Sequence, residues 1–286
     1  MKIAVTTASG NLGSTIITQL KQEVGPESVV GIARTPAKAE HLGIEIRRGD
    51  YNNKADFDLA LKGVDAVLIV SGMDHPDKRI QQHRNIIEAA KKNGVSKIVY
   101  TSIIGSEKGN SFSPIVASNR QTEKDIRNSG LQWAIGRNGL YIEPDLEYIE
   151  NYLRDGAIIN CAADGKCGYT SRTELAYAYF MLLTDNSLDG KTYNLFGETI
   201  TQQQLTDAIN KSFQIDLKFI NISVHDYLES RKAALGDFLG TVISGIYEGI
   251  KDGAYDKEPQ FSQVVKRPHK SIYEMIQEFK NQIKPS

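Results

Sequence analysis

Thr7, Gly10 and Gly13 carry the clearest chemical signal in the chain, because they fall on the spacing G-x-x-G-x-x-G with threonine at the first place. They follow the apolar run Lys2–Thr6 and open a helical pattern over 12–23. That order suits a pyrophosphate. A tight turn leaves the strand, a glycine lets the backbone approach the phosphates, and a further glycine lets the helix pack on the sheet. The helix N-terminus then presents unsatisfied amides and partial positive charge to the anion. Thr7, Ser9, Gly10, Asn11, Leu12 and Gly13 are therefore the expected cradle of a dinucleotide. Thr7 departs from the pattern, since a β-branched side chain tolerates positive φ poorly and narrows the approach to the phosphates. Two outcomes stand open: a turn with negative φ, or a weakened or lost cofactor site.

The second signal is a charge. Dinucleotide binders that prefer NAD place an acid after the second strand, where it holds the ribose 2′-hydroxyl. This chain has Arg34 there, in GIARTPAKAE, with Lys38 one turn on. A guanidinium suits a 2′-phosphate through bidentate, charge-assisted hydrogen bonds. The expected cofactor is NADPH, in preference to NADH.

These residues need a scaffold, and hydrophobic periodicity supplies one. Strand patterns at Lys2–Thr6, Val29–Ala33, Glu45–Arg48, Ala66–Val70, Lys97–Thr101 and Gln132–Arg137 alternate with helical patterns at 12–23, 36–42, 54–62, 78–93 and 117–129. Runs such as AVLIV are apolar on successive residues, as parallel strands buried on both faces require. The fold class expected is α/β, a doubly wound parallel sheet (Rossmann fold) with a smaller C-terminal α/β lobe. The boundary is set at 1–140 for the nucleotide domain and 141–286 for the lobe, with 172–200 packing back on the first. In the lobe, Glu143–Arg154 reads as one helix, 156–168 as loop, Arg172–Thr184 and Gln202–Lys211 as helices, and Thr192–Leu195 as a strand.

A net charge of −1 and 24% charged residues give no basic field for nucleic acid and no polybasic patch for a membrane. No apolar run approaches membrane-span length, and the N-terminus lacks the apolar core of a secretory signal. Cys161 and Cys167 form no CxxC pair, and the five histidines have no metal-ligand spacing. The expectation is a cytoplasmic, metal-free protein acting on a small molecule. A homodimer or a regulatory protein partner is left open.

With the glycine loop, IARTPAKA, RRGDYNN, QQHRNIIEAAKKNGVSKIVYTS, IGRNGLY, ADGKCGYTSRTELA, KTYNLFG and KRPHKSIYEMI in this order, the chain resembles the atypical short-chain dehydrogenases of the NmrA-like branch. Within that branch it is similar to NADPH:quinone oxidoreductases and triphenylmethane reductase. The resemblance implies that Asp50 and Tyr51 approach the adenine and that Val70, Ser71 and Gly72 pass the cofactor ribose. It also implies a reductase delivering hydride to a quinone or another electron-poor acceptor.

Most short-chain dehydrogenases carry Tyr-x-x-x-Lys on the helix after strand five, where Lys lowers the Tyr pKa for acid–base work. Aligned on Glu123, those places hold Ile115 and Asn119, and the members of the resembling branch usually carry His at the latter. Tyr247 and Lys251 match the pattern but lie in the C-terminal helical region. Ser102 and Asn119 are the catalytic candidates, as hydrogen-bonding partners of an acceptor carbonyl or the nicotinamide carboxamide. Met73, in the polar loop 72–79, with Asn138 and Tyr141 are the substrate-side candidates. A nucleotide-sensing regulator is the second reading, and a sugar-nucleotide epimerase, which lacks its tyrosine here, is the third.

Overall fold

Five consecutive apolar residues, as at Val29–Ala33 and Ala66–Val70, suit a strand covered on both faces, and all ten are buried. The computed structural model describes residues 1–72 and 74–283. The first six strands are β1 (Ile3–Val5), β2 (Val29–Ala33), β3 (Glu45–Arg48), β4 (Ala66–Val70), β5 (Lys97–Ile103) and β6 (Gln132–Asn138). After them come β7 (Leu140–Tyr141), β8 (Ala157–Asn160), β9 (Lys166–Thr170), β10 (Thr192–Leu195), β11 (Thr199–Thr201) and β12 (Lys218–Asn221). A seven-stranded sheet runs β10-β6-β5-β4-β1-β2-β3, parallel throughout. The chain reverses its direction of winding at β1 and β4, which opens a crevice beyond their carboxyl ends. The expected doubly wound Rossmann fold is the one observed.

The sheet is covered by α1 (Asn11–Val24), α2 (Lys54–Ala60), α3 (Pro76–Lys92) and α4 (Ser113–Arg127). After β6 the chain adds α5 (Glu143–Glu147), α6 (Ile149–Asp155), α7 (Arg172–Thr184), α8 (Gln202–Phe213), α9 (Val224–Leu235), α10 (Asp237–Lys251), α11 (Phe261–Val265) and α12 (Ile272–Ile283). In α1, Leu12, Ile16, Ile17 and Leu20 form one buried stripe. It fills one face of the sheet together with Leu175, Ala178 and Leu182 of α7. Phe57, Ile86, Ala90 and Ile126 fill the other face. A separate core around Ile158, Phe196, Leu205, Ile250 and Ile276 holds the lobe.

The structure corrects four local expectations. Residues 36–42 form two short 3-10 turns, Pro36–Lys38 and Glu40–Leu42, ended by Gly43 at φ 63. The helix over 143–154 breaks at Tyr148. The supposed loop 156–168 contains β8, paired with the distant β12, and most of β9, which lies between β11 and β7. α4 starts at Ser113, with Pro114 in its first turn.

A polar seam, buried at His83 and Thr122, joins α3 to α4. Arg84 pairs with Asp125 at 2.7 Å, and His83 Nδ1 lies 2.8 Å from Thr122 Oγ1. The Thr122 hydroxyl donates to Ser118 O and the Gly72 amide donates to His83 Nε2 at 3.4 Å, so His83 is the neutral, Nδ1-protonated tautomer. A second proton would face that amide. Burial, and then the nearby Arg79 charge, push the His83 pKa down from 6.5 to about 3. The unfolded chain takes up this proton below about pH 6.5 and the folded one resists it, so this stability is present above that pH and lost as pH falls. From pH 7 to pH 5 the loss through His83 alone should be about 2 kcal/mol. Urea midpoints at the two pH values check it: His83→Gln should lose much less than the wild type on acidification, and equal losses would refute the assignment.

Candidate functional site

The turn from β1 into α1 is built on backbone proximity. Gly10 N donates to Thr7 O at 2.8 Å, and Ala8 N is tied to Ile32 O at 3.0 Å. A Cβ on Gly13 would stand 2.4 Å from Thr7 O, and one on Gly10 would stand 3.3 Å from the same atom. Thr7 itself has φ 52, in the left-handed region. Of the two outcomes open in the sequence, a turn with negative φ is therefore excluded. A non-glycine residue held there is strained by roughly 1–2 kcal/mol.

Two recesses meet at this turn. The polar one, of about 560 Å³, is lined by Thr7, Ser9, Gly10, Arg34, Lys38 and Asp50, with Tyr51 and Gly72 at its inner edge. Arg34 and Lys38 are exposed, and neither pairs with an acid among the described residues. Asp50 accepts from the Asn52 amide at 2.9 Å. Tyr51 turns its hydroxyl inward, 2.6 Å from Val70 O and 2.5 Å from Thr6 Oγ1, so its ring rather than its hydroxyl borders the recess.

The second recess is an apolar cleft of about 460 Å³. It begins at Thr7 and Gly10–Gly13, passes Ser71 and Gly72, and ends against Phe112, Ile115, Leu140 and the α10 side chains Leu239, Val242 and Ile246. Ser71 N is held by Thr101 Oγ1 at 2.9 Å. His75 is exposed and faces Phe238, with ring centroids 6.0 Å apart. Met73 lies outside the described residues.

Ser102, Asn119, Asn138 and Tyr141 all line this cleft, and each is hydrogen-bonded within the protein. Ser102 donates its proton to Glu123 Oε1 at 2.7 Å and accepts from Arg120 Nη1 at 3.1 Å. Asn119 donates to Ile115 O, and its Oδ1 accepts from Tyr100 Oη at 2.5 Å and Arg79 Nη2 at 3.1 Å. The Asn138 amide donates to the Tyr141 hydroxyl at 2.9 Å and its Oδ1 accepts from Tyr179 at 2.6 Å. Burial pushes Tyr141 up to about 12, so its phenol stays neutral.

Three features of the site were missed in the sequence. Glu123 is fully buried beneath Ser102 and gathers Arg120, Arg127 and Arg137; burial would raise its pKa, but the Arg137 and Ser102 hydrogen bonds and the Arg120 and Arg137 charges hold it below the usual carboxylate range. The α10 wall was written in the apolar spacing of Leu239, Val242, Ile243 and Ile246, readable as one helical stripe. Arg79 precedes His83 by four residues and so shares its buried face, a spacing that could have shown it.

Among the described residues, no group of three His, Cys, Asp or Glu could hold a metal ion. No helix among them is long and apolar enough to cross a membrane. Cys161 and Cys167 are both buried and unbonded.

Comparison with known proteins places this geometry. A family model described as NAD(P)H-binding matches residues 7–157. Quinone oxidoreductase 2 of Escherichia coli is 32% identical over 282 residues, spanning 96% of this chain and 97% of its own. The crystal structure of an NADPH-dependent quinone oxidoreductase from Escherichia coli, complexed with NADPH, superposes with a TM-score of 0.89 at 31% identity, covering 98% of this chain and all of that one. The Citrobacter sp. triphenylmethane reductase complexed with NADP(H) superposes with a TM-score of 0.89 at 28% identity, over 97% of this chain and 99% of the other. The glycine turn, the strand order and these chain-long matches agree, and the chain belongs to the NAD(P)H-binding, NmrA-like family that includes quinone oxidoreductase 2.

Proposed function

We propose that this protein is an NADPH-dependent reductase that delivers hydride to a quinone-like or other electron-poor small acceptor. The observation that carries the reading is continuity: Thr7 and Gly10 line both the polar recess and the apolar cleft, so a dinucleotide seated on the turn would reach into a cleft with apolar walls. The glycine turn fits the group, because a Cβ at Gly13 would strike Thr7 O and push the start of α1 away from the turn. Names of similar proteins supply the chemistry by analogy, since one is an NADPH-dependent quinone oxidoreductase and another a triphenylmethane reductase.

In this reading Thr7, Ser9, Gly10, Asn11, Leu12 and Gly13 hold the pyrophosphate through backbone amides and the α1 terminus. Arg34 and Lys38 hold the 2′-phosphate, which selects NADPH over NADH. Asp50 and Tyr51 border the adenine, and Ser71 and Gly72 the ribose. Bound NADPH supplies a hydride from its nicotinamide ring. Phe112, Ile115, Tyr141 and the α10 wall orient a planar acceptor and exclude water, which leaves the protein a task of proximity. Ser102 and Asn119 act as positioning groups, since the Ser102 proton and both ends of the Asn119 amide are committed inside the protein. The product oxygen takes its proton from water. A regulator that only sensed the nucleotide would have no use for the apolar cleft beyond it.

Oxidation of NADPH should be stimulated by small neutral quinones in purified protein, and a broad acceptor panel without turnover would overturn the reductase reading. Titration followed by nicotinamide fluorescence tests the cofactor half. Arg34→Ala should weaken NADPH by about 1.5–3 kcal/mol and leave NADH near its wild-type affinity; equal losses would contradict the 2′-phosphate role. Thr7→Gly removes a β-branched side chain from the path of the phosphates and should tighten NADPH by about 1 kcal/mol. An unchanged Kd would mean that the turn already accommodates threonine.

A further inference from the structure

Among the described residues that line the cleft, one buried polar side-chain atom has no hydrogen-bond partner, and it belongs to Arg79. Arg79 lies in the first turn of α3, is 3% exposed and lines the cleft. Its Nη2 donates to Asn119 Oδ1, and its buried Nε has no partner among the described residues. The acids near it are engaged elsewhere. Asp74 serves Gln82 and Lys78, Asp77 faces His75, Asp125 pairs with Arg84, and Glu123 is held by three other arginines. Its remaining neighbours, Tyr51, Tyr100 and His83, are neutral groups. A buried cation without a counter-charge is strongly unfavourable, and proteins keep one where a ligand completes it.

We infer that Arg79 reads the charge of the acceptor: it receives the oxygen of a neutral carbonyl compound that becomes an oxyanion, and it discriminates against cationic dyes. This rests on the reductase reading above. Hydride transfer breaks a nicotinamide C–H bond and forms a new bond from hydrogen to the quinone. The quinone C=O π pair moves onto oxygen as negative charge, NADPH becomes NADP+, and the oxyanion then takes a proton from water. A guanidinium fixed in a water-poor cleft stabilises that oxygen more as its charge grows. A cationic triphenylmethane dye changes in the opposite sense, because hydride neutralises it, and a fixed cation beside it repels the reactant. Asn119, locked by Tyr100 and Ile115, aims the guanidinium and is a positioning residue.

Arg79→Met, with Arg79→Lys as the charge-conserving control, tests the assignment. Five quantities are measured: kcat/KM for a neutral benzoquinone and for a cationic triphenylmethane dye, the Kd of the 2-hydroxy-1,4-naphthoquinone anion, the Kd of NADP+, and the thermal midpoint. In Arg79→Met, quinone kcat/KM should fall about 100-fold and the dye should gain turnover. Anion affinity should fall about tenfold, with NADP+ affinity unchanged and the thermal midpoint equal or higher. Arg79→Lys should recover part of the quinone rate. An unchanged quinone-to-dye ratio with unchanged anion binding overturns the inference. A loss of NADP+ affinity with intact anion binding also overturns it, by assigning Arg79 to the cofactor. If the wild type reduces no quinone yet binds the anion through Arg79, the reductase reading fails and the charge assignment stands.

Discussion

The contact between the β1–α1 turn and the start of α1 is the constraint from which the rest of the site follows. Thr7 O lies where any side chain at position 13 would begin, so the helix can close on the sheet only over glycine. That closeness aims the α1 amides at the crevice where the sheet reverses its winding. It also holds Thr7 at φ 52, on the boundary between the polar and apolar recesses. A small local strain sits where the two halves of a dinucleotide would separate, which is where strain tends to persist in functional loops.

Around the apolar half, polar side chains neutralise one another in layers. Glu123 gathers three arginines and the Ser102 hydroxyl below the cleft, and Asn119 is fastened by Tyr100 and Ile115. The arrangement commits the Ser102 proton and the Asn119 amide inside the protein. That suits an electron-poor acceptor, whose reduction needs placement and a complement to developing charge more than a pre-positioned proton. Arg79 alone keeps unspent charge at the cleft wall, and the neutral His83 beside it adds none.

The sheet, its parallel character and the glycine turn were legible in the sequence because each rests on local patterning: apolar runs, helical stripes, small residues at fixed spacing. The position of Arg34 directly after β2 was legible for the same reason. β8 and β9 were not, because β8 pairs with the distant β12 and β9 is held between β11 and the two-residue β7. The break at Tyr148 carries no Pro or Gly to announce it. Thr7 was readable as a departure, though its φ was not, for the turn is decided by contacts with Ala8, Gly10 and Gly13. Ser102 and Asn119 read as free polar groups. Only the fold reveals that Glu123, Tyr100 and Arg79 have already claimed them.

The central claim is that a reduced nicotinamide held by the glycine turn reacts in the apolar cleft. Rapid mixing of the preformed protein–NADPH complex with excess neutral quinone, following nicotinamide fluorescence, addresses it most directly. The account predicts a single-exponential loss of fluorescence that slows when the transferred hydrogen at the nicotinamide C4 is replaced by deuterium. Fluorescence that persists after mixing, or decays at a rate indifferent to the label across a range of quinones, would contradict it.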